Sequence, residues 1–191
     1  MNDAAIHFAK QNMLISANMN KEFSAYIYKV YSNGEYKYYY SKIVMLGSAG
    51  GDMPGPSVCG VPENGTSVAL IHTHCRTSKE SDYRFSIYPD KDTNDWKGIW
   101  SSGYLGMYLV AGNGTLQYLP ANAKKSDTIV QVISTEMPII EGAMKYEVGS
   151  EQIYKAVEVE IKKKWYKRIW PWVTEKTYTN TTYKAVDEGG R

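Results

Sequence analysis

Residues 67–92, SVALIHTHCRTSKESDYRFSIYPDKD, end an apolar run in His72 and His74 and place two aspartates, Asp90 and Asp92, shortly afterwards. Alternate side chains of a strand share a face, so His72 and His74 project together, with backbones roughly 6.5–7 Å apart, while Thr73 turns the other way. Two imidazoles so placed can converge on one cation. A catalytic zinc takes three protein ligands, for which a carboxylate is a common third, and keeps its fourth position for water. The third ligand is expected from Asp92 or Asp90. Spacing favours Asp92, because Trp96, Ile99 and Trp100 follow it at four, seven and eight residues and would anchor a helix beginning there. Asp90 is the alternative. The ordinary reading of the same residues is a pair of hydrogen-bonded histidines on a half-buried strand and aspartates that cap a helix.

The elements that must position these groups are legible in outline. Asp3 can cap a short helix in which Ala5, Ile6, Ala9 and Met13 fall near one face. Residues 22–31 and 36–46 read as strands of a hairpin closed by Ser32-Asn33-Gly34-Glu35, a turn of the Asn-Gly kind. The stretch 47–62 is rich in glycine and proline and reads as a surface loop. TSVALIHTHC is then a buried strand, 93–101 a short helix, and YLGMYLV and TLQYLP a second hairpin turning through Ala111-Gly112-Asn113-Gly114. Beyond residue 122, TIVQVIST reads as one more strand. Residues 150–169 read as an amphipathic helix with Ile153, Val157 and Ile161 on one stripe, and the last twenty residues as a polar, frayed tail. The expected division is a domain over 1–122 and an extension over 123–191.

A length of 191 residues suits one core with an appendage. Twenty-two lysines and arginines against 20 aspartates and glutamates leave a net charge of +2, too little for bulk attraction to nucleic acid or lipid. No apolar run approaches the roughly 18 residues of a membrane span, and the start MNDAAIHFAKQNM lacks the layout of a signal peptide, so the chain is expected to be soluble. Cys59 and Cys75 have neither zinc-knuckle nor redox-pair spacing and read as two free buried thiols. Seventeen tyrosines, many in alternating patches such as YIYKVY, point to a sheet with one partly wet face. Asn64-Gly65-Thr66 and Asn113-Gly114-Thr115 match the glycosylation pattern but read better as turns; Asn180-Thr181-Thr182 matches it too.

Taken together, Glu22 in NKEFSAYIYK, His72 and His74 in IHTHC, and Ser86 followed by an aspartate in FSIYPDKD resemble the JAB/MPN metalloproteases, the JAMM family. DAAIHFA ahead of NKEFSAYIY and the hairpin GMYLVAGNGTLQYLP are similar to the JAB-like domains of bacterial polymorphic and Rhs-type toxins, a likeness spanning about residues 3–120. Two departures stand out. Cys75 occupies the place of the family's usual proline, and the steps from His74 to Ser86 and from Ser86 to the aspartate are stretched, which leaves Asp90 and Asp92 both open. Cys75, next on the strand, points away from His74.

The resemblance implies an α/β fold, a mixed, largely antiparallel sheet flanked by helices with cytidine-deaminase-like layering. It also implies Zn²⁺ held by His72, His74 and Asp92 or Asp90. In that family zinc makes hydroxide available near neutral pH. Glu22 would serve as general base, and Ser86 as an oxyanion donor worth about 3 kcal/mol. The implied activity is hydrolysis of an amide, often isopeptide, bond in a protein or peptide, by a toxin domain delivered to a target cell and opposed by an immunity protein. The alternatives are an inactive binding module on the same fold and a nucleic-acid-acting domain. The latter would use IKKKWYKRIWPW, residues 161–172, which combines five basic residues with four aromatics; a solvated helix face explains that cluster more simply, and nucleic acid is not the expected partner.

Overall fold

The computed structural model describes residues 1–47, 53–86, 95, 103–121, 128–150, 153–163 and 176–186, with the backbone alone for 128–129, 153–163 and 176–186. Helix α1 (Asn2–Met19) opens the chain and buries Ala4, Ala5, Phe8, Ala9, Asn12, Met13 and Ser16, the one-face spacing of an amphipathic helix. It is longer than the short helix expected. Asp3 does not cap it: Met1 holds the capping position and Asp3 lies in the first turn, where a carboxylate still suits the positive end of the helix dipole. The helix stops at Asn20, whose left-handed φ of 50° turns the chain toward the sheet. Asparagine tolerates that conformation better than most residues.

Strands β1 (Phe23–Ser32) and β2 (Glu35–Tyr40) form the expected hairpin. Asn33 and Gly34 have φ of 53° and 86°, the two left-handed residues that a type I′ turn demands. Strand β3 (Val44–Met45) pairs with the start of β1, and β4 (Gly65–His74) runs antiparallel to β1 along its other edge. Strand β5 (Gly106–Ala111) lies parallel to β4, and β6 (Leu116–Pro120) returns antiparallel to β5. Two further strands follow, β7 (Thr128–Ile129) and β8 (Gln131–Ser134); β8 pairs with β6. The sheet order is β2-β1-β4-β5-β6-β8, with β3 beside β1. The fold is therefore α/β with a mixed, mostly antiparallel sheet and an N-terminal helix.

Strands β4 and β5 sit in the middle and are apolar on both faces because both faces are covered. On one side α1 supplies Phe8 and Met13 to a core that includes Phe23, Ile27, Ile71, Tyr108 and Val110. On the other, Leu70 packs with Tyr26, Phe85, Met107, Leu109 and Leu119. A fully buried side chain of this size contributes about 1.5–3 kcal/mol, so these two layers hold β4 firmly in place. Leu70 and Ile71 thus belong to opposite layers, and the same alternation carries His72 and Thr73 to opposite faces.

The edge hairpin matches the tyrosine pattern: Tyr31, Tyr36, Tyr38 and Tyr39 are exposed, and Tyr31 stacks on Tyr36 across the strands. At the β5–β6 turn the Asn113 side-chain oxygen accepts hydrogen bonds from the Thr115 N–H and hydroxyl, so this Asn-Gly-Thr is a turn with a buried threonine. Cys59 and Cys75 are free and buried.

The C-terminal expectations need correction. Residues 153–163 form strand β9 (Ile153–Lys163), not a helix, and 176–186 form strand β10 (Lys176–Val186), not a frayed tail. With β7 they make a second sheet, ordered β10-β9-β7. The stripe Ile153, Val157, Ile161 has a spacing of four, which is even and satisfies a strand as well as a helix; Val157-Glu158-Val159-Glu160-Ile161-Lys162 alternates with period two and is rich in β-branched residues. TIVQVIST is divided between the two sheets. Strand β8 and the buried Met137, both beyond residue 122, belong to the first sheet and its core. The helix expected over 93–101 lies outside the described residues except for Asp95.

Candidate metal centre

His72 and His74 end β4 on the face turned away from α1. Their Nε2 atoms stand 3.3 Å apart. Asp95 closes the triangle, with Oδ1 3.3 Å from His72 Nε2 and Oδ2 3.8 Å from His74 Nε2. Side-chain exposure is 9% for His72, 12% for His74 and 17% for Asp95, so the three groups meet largely out of water. Donors bound to a tetrahedral zinc at about 2.05 Å are roughly 3.3 Å from one another. The His72–His74 and His72–Asp95 Oδ1 distances match that length, Asp95 approaches His74 through its other oxygen, and with one donor atom from each residue all within 4.8 Å of one another the three side chains could hold one such ion.

The carboxylate of the group is Asp95, which sequence reasoning did not single out; Asp90 and Asp92 lie outside the described residues. A helical spacing test was available for it, since Asp95 stands four residues before Ile99 just as Asp92 stands four before Trp96. Spacing still favours Asp92, which has apolar residues at four, seven and eight positions where Asp95 has one at four.

The surrounding groups orient the donors. The backbone carbonyl of Asp82 lies 3.1 Å from His74 Nδ1. A carbonyl only accepts, so Nδ1 carries the hydrogen and Nε2 is left with its lone pair toward Asp95 and His72. Asp82 itself is held by the loop after β4, where its carboxylate accepts from the Ser78 hydroxyl and the Lys79 N–H. Gln117 on β6 donates to the Tyr83 carbonyl at 2.8 Å and ties the same loop to the sheet. Phe85 meets the His72 ring edge-on at 6.1 Å and seals one side.

Ser86 acts on Asp95 directly. Its N–H and its hydroxyl both donate to Asp95 Oδ2, at 2.7 and 3.0 Å, and its hydroxyl oxygen accepts from the Asp95 N–H at 3.4 Å. The hydroxyl expected to serve an oxyanion has its single hydrogen on the carboxylate here. Cys75 stays out of the group, as expected: its Sγ faces the Asn20 side chain at the end of α1.

Glu22 is the residue just ahead of β1. Ser24 pairs with His72, so Glu22, two positions earlier, keeps the parity of His72 across the β1–β4 ladder. Its carboxyl lies within the electrostatic field of the cluster. Burial pushes its pKa above the ordinary glutamate value, His72 opposes this, and Asp95 adds to it. Burial acts to lower His72, but the adjacent Asp95 carboxylate and then Glu22 outweigh it, and the net shift is upward. His74 is driven down to about 4 by burial and by His72 alongside it. For Asp95, burial acts upward and is overcome by His72, then His74 and the Ser86 N–H, which hold the carboxyl well below its usual range.

No protein-family model matches the chain, and comparisons with curated proteins and with solved structures find no match. The site is therefore read from its own geometry. Among the described residues no helix is long and apolar enough to cross a membrane.

Proposed function

We propose that the chain is a zinc-dependent metallopeptidase or isopeptidase of the JAMM type, hydrolysing an amide bond in a protein substrate, as a bacterial toxin or effector domain. The observation that carries this reading is the convergence of His72 Nε2, His74 Nε2 and the Asp95 carboxylate within 4.8 Å of one another, with Glu22 on the His72 side of the sheet and under the electrostatic influence of His72 and Asp95.

Zinc held by these three residues would supply a water acidic enough to deprotonate near pH 7 and a Lewis acid for the scissile carbonyl. Glu22 would take the proton of that water and return it to the leaving amine. Burial of Glu22 raises its proton affinity above that of an ordinary glutamate, the direction that suits a general base. Ser86 holds Asp95 in one rotamer, and the Asp82 carbonyl fixes the His74 tautomer. Phe85 and the low exposure of the histidines keep competing water out, so charge interactions within the site are strong.

The test is metal analysis of protein purified without chelator, an anomalous-scattering map at the zinc edge, and hydrolysis of a quenched fluorescent peptide library by wild type and Glu22→Gln. One zinc per chain in both proteins is expected, with hydrolysis lowered roughly 10²–10⁴-fold in the variant. A chain without zinc, or equal hydrolysis in the two proteins, overturns the proposal.

A further inference from the structure

Thr73, the residue between the two histidines, faces α1 and is fully buried, as is Ser16 on that helix. Their hydroxyl oxygens are 2.5 Å apart. Ser16 also donates to the Lys21 carbonyl at 2.5 Å, and the Phe23 N–H donates to Thr73 Oγ1 at 2.9 Å. Each hydroxyl has one hydrogen, and a carbonyl can only accept. The direction of every bond is then determined: Phe23 N–H to Thr73, Thr73 O–H to Ser16, Ser16 O–H to the Lys21 carbonyl. This chain of three hydrogen bonds begins and ends on the two peptide groups that flank Glu22.

We infer that the Ser16–Thr73 hydroxyl pair is the positioning device for Glu22, coupling the general base to the histidine strand and to α1. This deepens the proposed hydrolytic function and rests on it. The need for such a device follows from the topology. Glu22 lies one residue outside β1, and the regular β1–β4 pairing reaches only Ser24 and His72. One step beyond that pair, the Thr73 side chain takes the place of a ladder partner for Phe23. Because Thr73 sits between His72 and His74, its hydroxyl references Glu22 to the strand that carries the metal ligands. Bonds in a buried chain polarise one another, so the pair acts as one unit. Thr73 and Ser16 are positioning residues, since both touch the backbone around Glu22 and neither touches the donor cluster.

Thr73→Val keeps the shape and removes both the donor and the acceptor; Thr73→Ser restores them. In ¹³C-labelled protein the Glu22 carboxyl signal is assigned by its disappearance in Glu22→Gln, and the Phe23 amide exchange rate is read in the same samples. Thr73→Val is expected to speed Phe23 exchange about tenfold and to displace the Glu22 signal, with both recovered in Thr73→Ser. Zn²⁺ affinity should stay within about threefold, well short of the roughly 10–100-fold of a lost ligand-orienting bond. Hydrolysis of the peptide library should fall by roughly 10²-fold, as for a misplaced catalytic group. A Glu22 signal in Thr73→Val that coincides with wild type overturns the inference. If Thr73→Val does not fold, Ser16→Ala, which removes only the bond to Lys21 and the acceptor for Thr73, is judged by the same two signals. A wild type that binds no zinc or cleaves nothing defeats the hydrolytic reading, whereas the Phe23 and Glu22 signals judge the positioning device independently.

Discussion

His72 Nε2 lies 3.3 Å from Asp95 Oδ1, joining the end of a central strand to a residue 23 positions later that is held by Ser86. Among the described residues the contact makes Asp95 the acid of the donor group. Replacing Asp95 with alanine should reduce Zn²⁺ affinity by more than the roughly 10–100-fold that outer-shell changes cause, measured by competition with a chromophoric chelator. Asp90→Ala and Asp92→Ala made alongside test the two aspartates to which the sequence first pointed; an equal loss in either would displace Asp95 from the site.

Ser86 has two candidate duties, and one substitution separates them. If its hydroxyl holds Asp95, Ser86→Ala lowers zinc affinity by roughly 10–100-fold. If it serves the oxyanion alone, affinity is unchanged and only the hydrolytic rate falls, by roughly 10²–10³-fold. The hydrogen bonds from Ser86 to Asp95 Oδ2 predict the first outcome.

The metal-free protein should lose stability on mild acidification. His74 has its pKa depressed to about 4 in the folded chain against an ordinary value of 6.5. Above 6.5 neither folded nor unfolded His74 binds a proton, so folding carries no penalty there. As pH falls from 6.5 to about 4 the unfolded chain takes up a proton that folded His74 refuses, and stability declines. His72, shifted upward, works in the opposite sense: its contribution is complete below 6.5 and is lost as pH rises through its folded value. Thermal melts of chelator-treated protein between pH 7 and 4 should therefore show a smaller acid-induced drop in His74→Gln than in wild type. An equal drop would rule out His74 as its source.

The antiparallel pairing of β5 with β6 depends on a close approach at Gly106. A Cβ there would lie 2.5 Å from the Tyr118 ring and 2.6 Å from the Leu119 carbonyl oxygen, and the backbone oxygen has no rotamer by which to retreat. Gly106→Ala should destabilise the fold by about 1–3 kcal/mol, the range for overpacking, as measured by urea denaturation. Since Gly106 pairs with Ala69 on β4, loss of register there should also weaken zinc binding at the strand's end.

Local rules were enough for much of this. Period-two alternation put His72 and His74 on one face and Thr73 on the other, and Asn33-Gly34 marked its hairpin because few other residue pairs accept two left-handed conformations. Apolar runs identified β4 as a buried strand and β5 as a strand of the second hairpin. The free state of Cys59 and Cys75 was legible from their spacing. These properties depend on residues a few positions apart, where chain geometry leaves little choice.

Tertiary structure decided what depends on distant partners. Ile153, Val157 and Ile161 suit a helix or a strand equally by spacing, and pairing with 176–186 makes β9 a strand, since backbone hydrogen bonds to a partner are invisible in the segment itself. Asp95, Asp92 and Asp90 are the same side chain at nearly the same distance along the chain. Ser86, at the end of the loop that Gln117 and the Asp82 turn hold, grips Asp95 beside the imidazoles, a contact that depends on position in space and that spacing along the chain does not set.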